Sequence, residues 1–218
     1  MQAVVTGASR GIGLELVARL SGRGDVVLGT CRDGKTHGVG AWHPLDVTDP
    51  ASVAALAAAH PGAVDLLVCN AGVYLDKLQH LDGGFPAQMW ADTFAVNVTG
   101  VFLTVQALLP QLRAAGGAKI AIIGSQMGSD TRAPGGSFIY RASKAAVLNL
   151  GRNLAAELLP EGIAVGIYHP GWVQTDMGGT AADITVTESA QGLMARFDAL
   201  SLASTGCFQT WDGRDHPY

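Results

Sequence analysis

A doubly wound α/β fold, with a parallel sheet covered on both faces by helices, is the class this sequence predicts. Short β-rich runs alternate with longer helical patterns from end to end, as βαβ units with right-handed crossovers require. Two of the runs, Val64-Asp65-Leu66-Leu67-Val68 and Ile120-Ala121-Ile122-Ile123, are nearly continuous apolar, the pattern of strands buried on both faces. Composition agrees, because 48% hydrophobic residues, 29 Gly and only 15% charged residues suit a well-buried chain rather than a disordered one. At 218 residues one domain of moderate size buries most of the surface its unfolded form exposes. With no repeat, linker or low-complexity segment in view, a single domain over 1–218 is expected.

Strands are expected at 3–6, 26–30, 64–69, 119–123 and 163–168, and helices at 12–20, 50–60, 87–113, 139–159 and 186–200. Asp49-Pro50 reads as an N-cap followed by proline at the first helical position. Thr185 with Glu188 three residues later fits a capping box for the last helix.

Several function classes are disfavoured. A net charge of −4, with 14 basic residues in no long run, argues against a nucleic-acid or membrane surface. No apolar run approaches 18 residues, so no membrane span is expected. The chain opens on the apolar Gln2-Ala3-Val4-Val5 without a charged leader segment, and the cytoplasm is the default compartment. Cys31, Cys69 and Cys207 are far apart and read as reduced thiols rather than a disulfide framework. His43, His60 and His169 lack metal-ligand spacing, are taken as structural, and no metal site is expected.

Thr6-Gly7-Ala8-Ser9-Arg10-Gly11-Ile12-Gly13 follows the first strand and opens the first helix. Glycines there let the backbone approach a pyrophosphate, and the helix N-terminus supplies amide donors. Geometry alone would also call for glycine, but the place in the first βα connection favours cofactor binding. The second strand ends Thr30-Cys31-Arg32, with Cys31 where an NAD-selecting carboxylate is expected. Arg10 and Arg32 instead suit a 2′-phosphate, so NADP(H) is preferred and NAD(H), on account of Asp33, stays open.

Asn70-Ala71-Gly72 falls at the carboxyl edge of the sheet, where open α/β sheets bind ligands. Asn97 sits in a helical pattern that its amide does not favour. Ser125 places a hydroxyl at the same sheet edge, without the flanking glycines of a nucleophile elbow. Tyr140 and Lys144 share a helix face at i and i+4, about 5–6 Å apart. The ammonium is expected to favour the phenolate and so ease proton transfer. Each of these taken alone has an ordinary packing or turn-forming explanation.

Taken in order, Thr6–Gly13 for the loop, Asn70-Ala71-Gly72, Asn97, Ser125, Tyr140-x-x-x-Lys144 and Pro170-Gly171, the chain resembles the short-chain dehydrogenase/reductase family. The segments Tyr140-Arg141-Ala142-Ser143-Lys144 and His169-Pro170-Gly171-Trp172-Val173-Gln174-Thr175-Asp176-Met177-Gly178-Gly179 are most similar to its branch of C-factor-like proteins and sniffer-type carbonyl reductases. The resemblance implies a Rossmann-type fold of about seven parallel strands and hydride transfer between NADP(H) and a small-molecule carbonyl or alcohol. It implies Ser125 polarising the carbonyl and Tyr140 as general acid/base. It makes Lys144 a ribose contact as well, and has Asn97 anchoring a water on the proton path. Cofactor contacts then fall to Gly7, Ser9, Arg10, Gly11, Ile12, Gly13, Arg32, Asp46, Val47, Asn70, Ala71, Gly72, Tyr140, Lys144, Pro170, Gly171, Val173 and Thr175. Tyr74, Met127, Phe138 and Trp172 are candidates for an apolar pocket wall. A homodimer or homotetramer through the helices at 87–113 and 139–159 is also implied. The stretch after Thr175 is brief, so the substrate-covering insertion is reduced and the pocket is expected to be open. The competing class is a nucleotide-binding signalling protein of C-factor type with little catalysis, since fold does not fix function. A sugar-nucleotide epimerase or dehydratase is disfavoured, because the substrate domain it needs is absent.

Overall fold

The computed structural model describes residues 1–60 and 62–218. Among them, seven strands form one sheet: β1 (Gln2–Val5), β2 (Val26–Cys31), β3 (Ala41–Pro44), β4 (Leu66–Cys69), β5 (Lys119–Ile123), β6 (Ala164–His169) and β7 (Phe208–Thr210). Their order is β3-β2-β1-β4-β5-β6-β7, and every pairing is parallel. The α-helices are α1 (Gly11–Gly22), α2 (Pro50–Ala59), α3 (Ala87–Phe94), α4 (Gly100–Ala114), α5 (Phe138–Leu158) and α6 (Val186–Ala199). This is the doubly wound architecture that the alternation predicts, with the seven-stranded Rossmann-type sheet that the resemblance implies.

Side chains alternate across the sheet and build two core layers. Val4, Leu67, Ile120 and Ile122 pack with Leu56 of α2, Leu108 and Leu112 of α4 and Val147 of α5. Val5, Val68, Ala121 and Ile123 pack on the other side with Leu16 and Leu20 of α1 and Leu193 and Phe197 of α6. Each large side chain so buried contributes about 1.5–3 kcal/mol. The expected caps are present. Asp49 accepts from the Ala51 amide at 3.0 Å, and Thr185 with Glu188 closes a reciprocal capping box.

Two strands have no counterpart among the sequence runs. β3 has no fully buried residue, and β7 spans only three residues at the far edge, so neither carries a strong apolar pattern. The helix expected at 87–113 is divided by a π-helical segment, Ala95–Thr99, between α3 and α4. By length and composition the run Ala87–Ala114 could cross a membrane. In this fold Val101, Val105, Leu108 and Leu112 bury its apolar face on the sheet, and it is a core helix.

β1 leads outward to β2 and β3, whereas β4 leads through β5 and β6 to β7. The crevice between the carboxyl ends of β1 and β4 is therefore the topological switch point, where sheets of this kind take ligands.

Candidate active site

The glycine loop leaves β1 with Gly7 at φ +63° and Gly11 at φ +55°, conformations that L side chains rarely adopt. A Cβ at Gly7 would come within 2.7 Å of the Ala71 Cα, and one at Gly13 within 2.5 Å of the Asn70 amide nitrogen. The loop is thus pressed against the turn that follows β4. Asn70 holds it there, donating from Nδ2 to the carbonyls of Thr6 at 2.9 Å and Gly7 at 3.0 Å. Thr6 Oγ1 accepts in turn from the amides of Asn70 and Ala71. The side chain of Asn70 shapes the cofactor loop from behind.

Arg10 is the N-cap of α1 and makes no side-chain cap, unlike Asp49 on α2 and Thr185 on α6. The first-turn amides of α1, with the positive end of its dipole, remain available to an anion. Loop 170–176 closes over the same place. Gly171 is at φ +90°, and Val173 is buried and bridges to Ile184. Thr175 Cγ2 lies 3.3 Å from where a Gly11 Cβ would sit, and Asp176 pairs with Arg10 at 2.7 Å. Pro170 is held by its carbonyl, which accepts from Ser189 Oγ at 2.6 Å. Glycine backbone, free helix amides and an enclosing loop fit a dinucleotide.

At the end of β2, Arg32 is exposed and joins no ion pair among the described residues. Asp33 is engaged within its own loop, by His37 Nε2 at 3.0 Å and the Lys35 amide at 3.2 Å. These bonds hold its carboxyl well below the usual range. Cys31, Asp33 and His37 bring potential ligand atoms within 4.8 Å of one another, a grouping the spacing of the other histidines did not suggest. Asp46 fixes the turn after β3 by accepting from the Thr48 amide and hydroxyl, and buried Val47 packs under Gly100.

The four proposed catalytic residues come together at the carboxyl ends of β4 and β5. All of them, Asn97, Ser125, Tyr140 and Lys144, are buried. Asn97 lies in the π-helical segment, a distortion frequent at functional sites. Its amide is fully used: Nδ2 donates to Val73 O at 2.9 Å and Ser143 Oγ at 3.0 Å, and Oδ1 accepts from the Val73 amide at 2.8 Å. It ties the turn after β4 to α5. Ser125 Oγ accepts from the Met127 amide at 3.1 Å, and its hydroxyl faces the Tyr140 phenol closely enough to lower that group's pKa.

Burial pushes the Tyr140 phenol up to about 12; the Ser125 hydrogen bond opposes this, and Tyr74 and Asp76 add to it. Lys144 Nζ lies 5.7 Å from the ring centroid and donates to the Ile123 carbonyl at 2.9 Å, and desolvation is the larger effect. Burial also pushes Lys144 itself down, to about 8.

Sequence reading missed Asp76. It is completely buried and accepts from the Ile139 amide at 2.8 Å and the Tyr140 amide at 3.2 Å, capping α5 from 63 residues away. The residue at the N-cap itself, Ser137, is left-handed at φ 50° and makes no cap, but its hydroxyl meets that of Tyr74. The Tyr74 ring stacks on Tyr140 at 4.2 Å. Of the other suggested wall residues, Met127 lines a cavity described below, whereas Phe138 packs edge-on to Phe85 and Trp172 donates to Gly178 O.

His169, at the end of β6, is buried with Nδ1 unpartnered. Burial pushes it down to about 4, with the positive charge of neighbours adding to the effect. Its unfolded value is near 6.5, so below that pH only the unfolded chain gains the proton. Its contribution is complete above pH 6.5 and is lost as pH falls towards 4, by about 3 kcal/mol. Urea unfolding at pH 7 and pH 4.5 should show a smaller loss in His169→Asn than in the parent. Equal losses would reject this origin.

The short chain dehydrogenase family profile matches residues 1–184, and the chain belongs to this family of oxidoreductases. It is 37% identical to the C-signal protein of Myxococcus xanthus over 158 residues, 72% of this chain and 94% of that protein. Its fold superposes on the NADPH-bound carbonyl reductase from chicken fatty liver with a TM-score of 0.91 at 33% identity, covering 100% of this chain and 98% of the other. The carbonyl reductase Sniffer of D. melanogaster gives 0.91 at 26% identity, with 100% and 99% covered.

Proposed function

We propose that this chain is an NADPH-dependent reductase of small-molecule carbonyl compounds, built as one domain over 1–218. The observation that carries the reading is the joint burial of Ser125, Tyr140 and Lys144 beside the glycine-loop crevice. When bound, NADPH would supply the hydride. Residues 7–13 and the α1 amides would hold its pyrophosphate. Arg10 and Arg32 would hold the 2′-phosphate, with Asp46 and Val47 alongside. Ala71, Gly72 and loop 170–175 would receive the nicotinamide end, and Lys144 the adjoining ribose. The relatives support this pairing, since the chicken protein is described as an NADPH-bound carbonyl reductase.

Ser125 polarises the carbonyl oxygen as a preorganised donor. Tyr140 gives its proton to the developing alkoxide, which is the stronger base. A phenol near 12 keeps that proton at neutral pH. Asn97 acts as a positioning residue. By resemblance it would also anchor a water on the proton path.

Following NADPH absorbance with aldehydes, ketones and quinones tests the reading, and turnover of at least one class is expected. Arg32→Asp should lower the NADPH-over-NADH ratio of kcat/KM by about tenfold or more, because charged hydrogen bonds to the phosphate are lost. An unchanged ratio would reject the phosphate contact. The likeness to the C-signal protein favours one alternative, a signalling protein that binds the nucleotide without chemistry. NADPH binding with no turnover across the panel is its mark. The proposal includes a cytoplasmic setting, which three unpaired thiols suit. It also includes a homodimer or homotetramer through α4 and α5, where Phe102 is exposed.

A further inference from the structure

A cavity of about 350 Å³ lies against the turn after Ser125, lined by Gln126, Met127, Arg132, Ala133, Pro134 and Arg141. Its size is in the range of small-ligand sites. Its walls come from the β5–α5 connection and the start of α5, and none comes from the glycine loop or β2. Met127 in its wall donates its amide to Ser125 Oγ at 3.1 Å, so the cavity adjoins one of the groups proposed to act on the reacting oxygen.

Two guanidiniums sharing a cavity repel each other, and an anion between them relieves the repulsion. Among the described residues, no ion pair includes Arg132 or Arg141. Their hydrogen bonds go to neutral acceptors. Arg132 Nη1 donates to Gln126 Oε1, and Arg141 Nη1 to the carbonyls of Arg132 at 3.2 Å and Met127 at 3.5 Å. Arg141 Nε is buried without a partner. Of the nearby carboxylates, Asp130 is exposed and Asp76 is committed to the α5 amides. Met127, Ala133 and Pro134 supply the apolar part of its wall. The Arg132 charge also reaches that edge, where it helps to hold His169 neutral.

We infer that this cavity is a substrate subsite for the anionic end of a carbonyl compound, its apolar stem lying along Met127 and Pro134 and its oxyanion on Arg132 and Arg141. A carboxylate or a phosphate would fit, because both match the planar guanidinium fork. The inference rests on the reductase reading and narrows it to oxo acids or phosphorylated ketones.

The first test compares kcat/KM for oxo acids with their methyl esters, and for a hydroxyketone phosphate with the free hydroxyketone. The parent enzyme should prefer the charged member of at least one pair by about tenfold or more. The acid pair and the phosphate pair separate the two sources of charge. In Arg141→Gln, and further in the double variant with Arg132→Gln, that preference should fall towards one, chiefly through KM. A preference unchanged by both substitutions, or none in the parent, overturns the subsite.

A second test needs no turnover. Phenylglyoxal labelling of the full chain, read by peptide mass spectrometry, should be slowed at Arg132 and Arg141 by benzoate and not by benzamide. Protection without carbonyl reduction would keep the anion site and remove the reductase reading. Carbonyl reduction without protection would remove the anion site alone.

Discussion

Tyr140→Phe is expected to lower carbonyl reduction by about 10²–10⁴-fold, the usual scale for a general acid, while NADPH still binds. Phenylalanine keeps the ring stacked on Tyr74 at 4.2 Å and the shape of the buried site, so the loss isolates one proton. The variant should fold as well as the parent, because the ring packing is kept and the Ser125 hydroxyl still accepts from the Met127 amide. Steady-state rates with one reducible carbonyl, beside a fluorescence titration of NADPH, separate the two effects. Near-parental turnover would reject Tyr140 as the acid. Loss of NADPH affinity with unchanged turnover per bound cofactor would reassign it to binding.

Asp76→Ala should cost about 3 kcal/mol of stability and lower turnover in the molecules that remain folded. The carboxylate is completely buried and accepts from the amides of Ile139 and Tyr140. Those amides carry the positive end of the α5 dipole, so the bonds are charge-assisted and oppose the cost of burying the anion. Alanine leaves two buried donors unpaired at the turn that carries Tyr140, and such donors cost about 1–3 kcal/mol each. Asp76→Asn keeps an acceptor without the charge and should recover at least half of both losses. Urea midpoints and kcat measured on the three proteins decide the matter. Equal stability of Asp76→Ala and the parent would remove the capping role.

The parts of the fold that sequence reveals are those whose signal is local. β4 and β5 are legible because burial on both faces makes them continuously apolar, and α2 and α6 because Asp49 and Thr185 cap within three residues. β3 and β7 are edge strands, short and partly exposed, and their pairing partners rather than their own residues define them. The π-helical segment falls where Asn97 reads as a poor helix residue. There the Asn97 amide bonds to Val73, 24 residues away, a partner that local sequence does not reveal. In the site, Gly7, Ser125, Tyr140 and Lys144 stand out by type and order. Asp76 does not, since a cap supplied across 63 residues has no spacing to recognise. The ionisation state is likewise a product of packing. Four-residue spacing brings the ammonium near the phenol, but burial, invisible in the spacing, sets the direction of both shifts.

Hydride delivery to a carbonyl carbon can be followed directly with NADPH deuterated at the transferable position of nicotinamide C4. Reduction should place one deuterium on the carbinol carbon of the product, read by mass spectrometry, with one NADPH consumed for each alcohol formed. An alcohol lacking the label, or NADPH that binds and is consumed with no carbonyl offered, would contradict the proposed reaction.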